Sequence, residues 1–148
     1  MRIAVISDTH DRFHADLPER LRDADEIWHL GDVCAPATLV EFELLKVPLR
    51  VVMGNCDAHP WPLTLDLERA GKRFHLVHIP PRTAPKGAQY VLHGHTHVAR
   101  DETDPLGVRW LNPGCITRPR AGFMSFAWLT LTRGKEPKWD LVRLPARE

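Results

Sequence analysis

The chain has no excess of charge of either sign: its 148 residues carry 20 lysines and arginines against 19 aspartates and glutamates, a formal net charge of +1. No overall field draws such a protein to nucleic acid or to an anionic membrane, so charge gives neither partner class support. Long apolar runs are missing too. The first, Ile3 to Ile6, is too short for the hydrophobic region of a signal peptide, and no stretch approaches the length of a membrane span. The expectation is a soluble cytoplasmic protein without a membrane partner. Cysteine is scarce. Cys34, Cys56 and Cys115 are odd in number and lack the paired spacing of a disulfide framework or a zinc ribbon, which fits a reducing compartment. There are no internal repeats or low-complexity tracts. The length is that of one ordinary domain, so residues 1–148 read as a single unit able to bury a core without disulfides.

What the chain does have is histidine, nine residues in all, three of them at alternate positions in His93-Gly94-His95-Thr96-His97. The elements around this stretch are legible. Arg2 to Ser7, Glu26 to Leu30 and Leu49 to Met53 read as short apolar strands that run into Asp8-Thr9-His10, Gly31-Asp32 and Gly54-Asn55-Cys56-Asp57. Helices are expected between them, one N-capped by Asp16 with Pro18 in its first turn, the other opened by Pro36 and running through Leu45. That order describes a parallel sheet with ligands beyond the carboxyl ends of its strands. After the rigid His59-Pro60-Trp61-Pro62 connection the chain turns to β structure. Leu63 to Glu68 and Arg73 to His78 read as a hairpin around Gly71, and Ile79 to Lys86, with three prolines, as an irregular loop bordering the site. Gln89 to Leu92 leads into the histidine stretch, and Val98 to Thr103 pairs with Val108 to Leu111. A closing hairpin, Gly122 to Thr132 and Lys138 to Leu144, is expected on the second sheet.

Asp8 and His10 are two apart just past a strand, so both side chains can reach one ion. A carboxylate such as Asp32 can bridge two divalent ions at the separation of about 3.5 to 4 Å used by two-metal hydrolases. Asn55 adds a neutral oxygen, and His78, His95 and His97 add imidazole nitrogens. Mixed oxygen and nitrogen donors suit manganese, iron, cobalt, nickel or zinc better than magnesium or calcium. Each residue alone reads as a cap, a turn former or a packed histidine. Seven metal-capable residues at strand ends, set off by turn glycines, read as a site.

The ordered series Asp8-Thr9-His10, Gly31-Asp32, Gly54-Asn55-Cys56-Asp57, His78 and Gly94-His95-Thr96-His97 resembles the calcineurin-like metallophosphoesterase superfamily. With Asn112-Pro113-Gly114, followed by Ile116 to Arg120, it is similar to the small single-domain phosphodiesterase branch related to Vps29. The resemblance runs from residue 3 to about 130. It implies an α/β fold of four layers, a sandwich of two mixed β-sheets flanked by helices. It further implies a dinuclear phosphoesterase, a phosphodiesterase first, in which a metal-bridging hydroxide attacks phosphorus in line. Asp8, His10, Asp32 and His97 would hold one ion and Asp32, Asn55, His78 and His95 the other, with Asp32, Asn55 and His95 closest to the chemistry. Manganese is the first expectation for both ions, with nickel, cobalt, iron or zinc as alternatives. Three positions depart from the family pattern: Cys56 stands where many larger relatives carry histidine, Ile79 where glycine usually follows the ligand, and Cys115 where serine is usual.

Leaving-group protonation has three candidates by sequence, Asp57, His59 and His93. His93, Arg118 and Arg120 are the expected substrate contacts; Arg82 and Lys86 are further cations near a phosphate or nucleotide, and Trp61 and Trp110 are aromatics able to stack on a base. The partner is expected to be a small phosphoester, a nucleotide among the options, and a homo-oligomer is compatible with the chain. A rival reading from another class is a protein-binding scaffold like Vps29 with little or no hydrolysis. The full ligand set separates the two, because a scaffold need not keep it.

Overall fold

A computed structural model of the protein describes residues 1–117 and 122–145. Strands β1 (Arg2–Ile6), β2 (Glu26–His29) and β3 (Leu49–Val51) are parallel neighbours. From Ile3 to Ile6, β1 is an unbroken apolar run because both of its faces are buried there. Ile3 and Val5 enter the core shared with the second sheet, whereas Ala4 and Ile6 enter the core under the helices, as the two-residue period dictates.

The helices are shorter than the sequence suggests. α1 spans only Leu17–Arg20, and Asp16 makes no side-chain cap bond. The segment from Pro36, expected as one helix to Leu45, divides into a 3-10 turn at Pro36–Leu39 and α2 at Val40–Glu43. Pieces this short cannot persist on backbone hydrogen bonds alone. They are held by Leu17, Leu21, Leu39 and Phe42, buried with Ala4, Ile6, Ile27 and Val51.

The second sheet contains β4 (Thr64–Arg69), β5 (Lys72–Val77), β6 (Tyr90–Leu92), β7 (Arg100–Thr103) and β8 (Arg109–Asn112), in the order β4-β5-β6-β8-β7. β5, β6 and β8 are parallel, so the chain must cross over between β5 and β6. It does so without a helix, because Pro80, Pro81 and Pro85 fall inside the crossover. Between the sheets Trp28 meets Phe74 edge-on at 5.6 Å, and Phe74 stacks on Tyr90 at 4.9 Å.

The closing hairpin corrects an expectation. β9 (Met124–Thr130) and β10 (Lys138–Leu144) belong to the first sheet, in the order β10-β9-β1-β2-β3, with β9 antiparallel to β1. The reason is the second edge of β1, which is buried and needs backbone partners. β9 suits that place because it too is apolar on both faces: Met124 and Phe126 join the helix-side core, and Leu129 joins the core between the sheets. The fold is thus the expected sandwich of two mixed sheets, with helices shorter than expected.

Candidate metal centre

The carboxyl ends of β1, β2, β3, β5 and β6 open into one region, and the loops there are tied together by backbone. Asp8 N–H donates to Gly31 O at 3.0 Å, His10 N–H to Asp32 O at 3.0 Å, and Gly94 N–H to His78 O at 3.1 Å. Asp8, His10, Asp32, His95 and His97 all have φ between 46° and 70°. Residues with a Cβ occupy that left-handed region at a cost, roughly 1–3 kcal/mol each, and such strain concentrates at functional sites. Five of the seven ligand candidates carry it.

The side chains converge as two histidine pairs on either side of Asp32. On one side, Asp8, His10, Asp32 and His97 each offer a ligand atom, all within 4.8 Å of one another. His97 Nε2 lies 3.3 Å from Asp8 Oδ1, and the rings of His10 and His97 are 5.4 Å apart. On the other side, Asn55 Oδ1 sits 3.0 Å from His78 Nε2 and 3.1 Å from His95 Nδ1, with those rings 5.2 Å apart. Asp32 Oδ2 faces both, 3.6 Å from His10 Nε2 and 3.2 Å from His78 Nε2.

A divalent cation fits this donor set on the evidence of the atoms themselves. Asp8 Oδ1 and His10 Nε2 are buried without a hydrogen-bond partner among the described residues, which is costly unless something fills the gap. His78 gives the same indication. Its Nδ1 is 2.7 Å from Leu30 O, so in the neutral ring the proton is committed there and the Nε2 lone pair faces the oxygens of Asp32 and Asn55. Such an arrangement calls for a proton or a metal ion between the lone pairs. Burial opposes protonation of His78, but the bond to Asp32 and the charge of Asp8 outweigh it and raise the pKa. For Asp32 burial works upward, and the bonds from His78 and Cys56 N–H, with the nearby histidines, hold the carboxyl well below its usual range.

The supporting residues are less visible in the sequence. Asp57, a candidate proton donor by sequence, instead accepts backbone N–H groups from Asp32 and Gly54 on one oxygen, at 2.9 and 2.7 Å, and from Cys34 on the other, at 2.7 Å. It clamps the loops that deliver Asp32 and Asn55. It reaches back three residues to Gly54 N–H while its own N–H donates to Gly54 O at 3.2 Å, which closes the turn that carries Asn55. Asn112 donates to Gly94 O at 3.3 Å and to Thr96 Oγ1 at 3.1 Å, which braces the histidine loop. His29 is fully buried between Gly31 N–H and the Thr9 hydroxyl, and burial pushes its pKa down to about 4. Gly94 does not supply an unusual turn, contrary to the sequence reading. A Cβ there would lie 2.1 Å from Ser7 Oγ and 2.7 Å from Asp8 Oδ2, so glycine is required for close approach of the two sheets.

The remaining candidates are placed as follows. His93 is buried, with Nδ1 at 3.0 Å from Gly94 O and Nε2 at 3.1 Å from Arg100, and burial brings its pKa to about 4. His59 is exposed and packs its ring 4.6 Å from Trp61. Trp110 is buried and donates to Asp104, which leaves no face for a base. Lys86 lines a cavity of about 270 Å³ with Arg73 and Asp66 on the β4–β5 side. Arg118 and Arg120 lie outside the described residues. All three cysteines touch the centre's loops: Cys34 Sγ is 3.7 Å from His10 Nδ1, Cys115 Sγ is 3.4 Å from Asp8 O, and Cys56 Sγ is 3.7 Å from Asn55 Nδ2. Burial first, then neighbouring Asp11, pushes the Cys34 thiol up to about 11, and burial with Asp32 raises Cys56, so thiolate is scarce at neutral pH.

The architecture recurs in solved structures. A Thermotoga maritima protein determined by NMR shares 27% identity and a TM-score of 0.75, with 97% of this chain and 99% of that one covered. An archaeal phosphodiesterase matches at 22% identity and TM-score 0.75, over 96% of this chain and all of that one. Vps29 from Entamoeba histolytica, solved with zinc, matches at 19% and 0.71, over 97% and 99%. No curated protein sequence matches the chain. The model of the calcineurin-like phosphoesterase superfamily domain matches residues 1–134. With nine-tenths of its sequence matched and the family's sandwich built around a cluster of carboxylates and histidines, the chain belongs to the calcineurin-like phosphoesterase superfamily.

Proposed function

We propose that the protein is a dinuclear metal-dependent phosphoesterase, a phosphodiesterase first, acting on a small phosphoester in the cytoplasm. One observation carries this reading: a single oxygen, Asp32 Oδ2, lies between two histidine pairs, each completed by its own oxygen donor, Asp8 or Asn55. Asp8, His10, Asp32 and His97 would hold one divalent ion, and Asp32, Asn55, His78 and His95 the other. Ions bound there supply Lewis acidity and water acidified enough to attack phosphorus.

The chain's own part is orientation. Leu30 O fixes the His78 tautomer, Cys56 N–H pins Asp32 Oδ1 at 2.9 Å, and Ser7 Oγ pins Asp8 Oδ2 at 2.7 Å, which turns the second oxygen of each carboxylate inward. No side chain is needed as nucleophile. The cysteines are a poor choice for one, with raised thiols at Cys34 and Cys56 and Cys115 buried.

The test is to strip the protein with chelator and reload it separately with manganese, nickel, cobalt or zinc. Each form is then assayed on bis-p-nitrophenyl phosphate and p-nitrophenyl phosphate. Hydrolysis of the diester with manganese, faster than of the monoester, is expected. No hydrolysis of either with any metal would favour the scaffold reading, which draws support from the likeness to Vps29.

A further inference from the structure

We propose that Arg100 is a positioning residue for the candidate metal centre: by holding His93 in one tautomer it fixes the Gly94 carbonyl, and through it the loop that presents His95 and His97. Arg100 opens β7 and lies directly across from Asn112 of β8. Its Nη1 is 3.1 Å from His93 Nε2. Guanidinium has donors only, so Nε2 must accept. The single proton of neutral His93 then sits on Nδ1 and points at Gly94 O, 3.0 Å away.

That carbonyl is where the loop is gripped. It also receives Thr96 N–H at 2.8 Å and the Asn112 amide at 3.3 Å. Two cross-strand neighbours therefore brace one carbonyl, Asn112 directly and Arg100 through an imidazole. The grip has work to do, because His95 and His97 both sit at positive φ, 70° and 60°, which the chain leaves readily if released. Arg100 is itself held in place: Nε pairs with Glu102 at 2.6 Å, and the guanidinium lies 4.9 Å over the Trp110 ring. His93 is 1% exposed with Arg100 in place, so the partly exposed guanidinium is what stands between Nε2 and water.

The proposal rests on His95 and His97 serving as metal ligands. Its test is R100A and R100Q beside wild type, with folding checked by circular dichroism. Long-range proton–nitrogen spectra of the metal-free proteins report the His93 tautomer, and calorimetric titration with zinc reports affinity. Wild type should show the proton on Nδ1, and R100A should shift it toward Nε2 and weaken zinc binding about 10-fold, the lower end of the loss for a group bonded directly to a metal ligand, because Arg100 acts through His93 and the Gly94 carbonyl. R100Q, which keeps a donor, should recover part of both and serves where R100A does not fold. A proton on Nε2 in wild type, or R100A binding zinc as wild type does, overturns the proposal. Failure of wild type itself to bind zinc overturns the metal-centre reading and the role of Arg100 with it, and is distinct from wild type and R100A binding equally.

Discussion

Asp32 shows how much a single atom can decide. Its Oδ1 accepts Cys56 N–H, and its Oδ2 faces both histidine pairs. In Asp32→Asn the amide oxygen must stay with Cys56, which leaves an NH₂ with no lone pair at the centre. Metal-dependent activity should fall by more than about 100-fold and bound metal per chain should drop, checked by steady-state assay and elemental analysis. Asp32 and the other ligand candidates were legible because donors at strand ends form a pattern along the sequence. Asp57 and Arg100 were not, because what they do depends on which backbone groups fold against them. The left-handed backbone at Asp8, His10, Asp32, His95 and His97 was equally hidden, since Asp and His tolerate that region better than most residues but adopt it seldom, and only the folded loops select it.

Among the elements, the β6 end and the β1 end approach each other closely at Gly94. Gly94→Ala would push Ser7 and Asp8 away from the histidine loop. A loss of about 1–3 kcal/mol in urea unfolding is expected, with weaker metal uptake measured by competition with a coloured chelator. The doubly buried strands were readable from their composition, as β1 shows. The place of the β9–β10 hairpin was not, because an apolar alternation fits either sheet and only the open edge of β1 selects one. The helices were overread for a related reason: apolar spacing from Pro36 to Leu45 fits one helix, but few residues of that segment are buried to hold it.

For the molecule as a whole, the two buried neutral histidines set a pH dependence. His29 and His93 have folded-state pKa values near 4 against an unfolded 6.5. Between those values the unfolded chain binds more protons, so stability rises with pH; it is complete above pH 6.5 and is lost as pH falls toward 4. His78 runs the other way, since its raised pKa adds stability below 6.5 that fades above it. Chelated protein should therefore take up about two protons on unfolding near pH 5, read from the slope of urea midpoint against pH. The ligand candidates also divide by sheet: Asp8, His10, Asp32 and Asn55 follow strands of the first, and His78, His95 and His97 follow strands of the second. Any ion bound between them is a non-local cross-link, with Asp8 and His95 touching across 87 residues. A cross-link made only after the folding barrier slows unfolding and leaves folding untouched. Metal should consequently act as a kinetic lock, slowing the unfolding arm of a chevron plot severalfold while leaving the refolding arm in place.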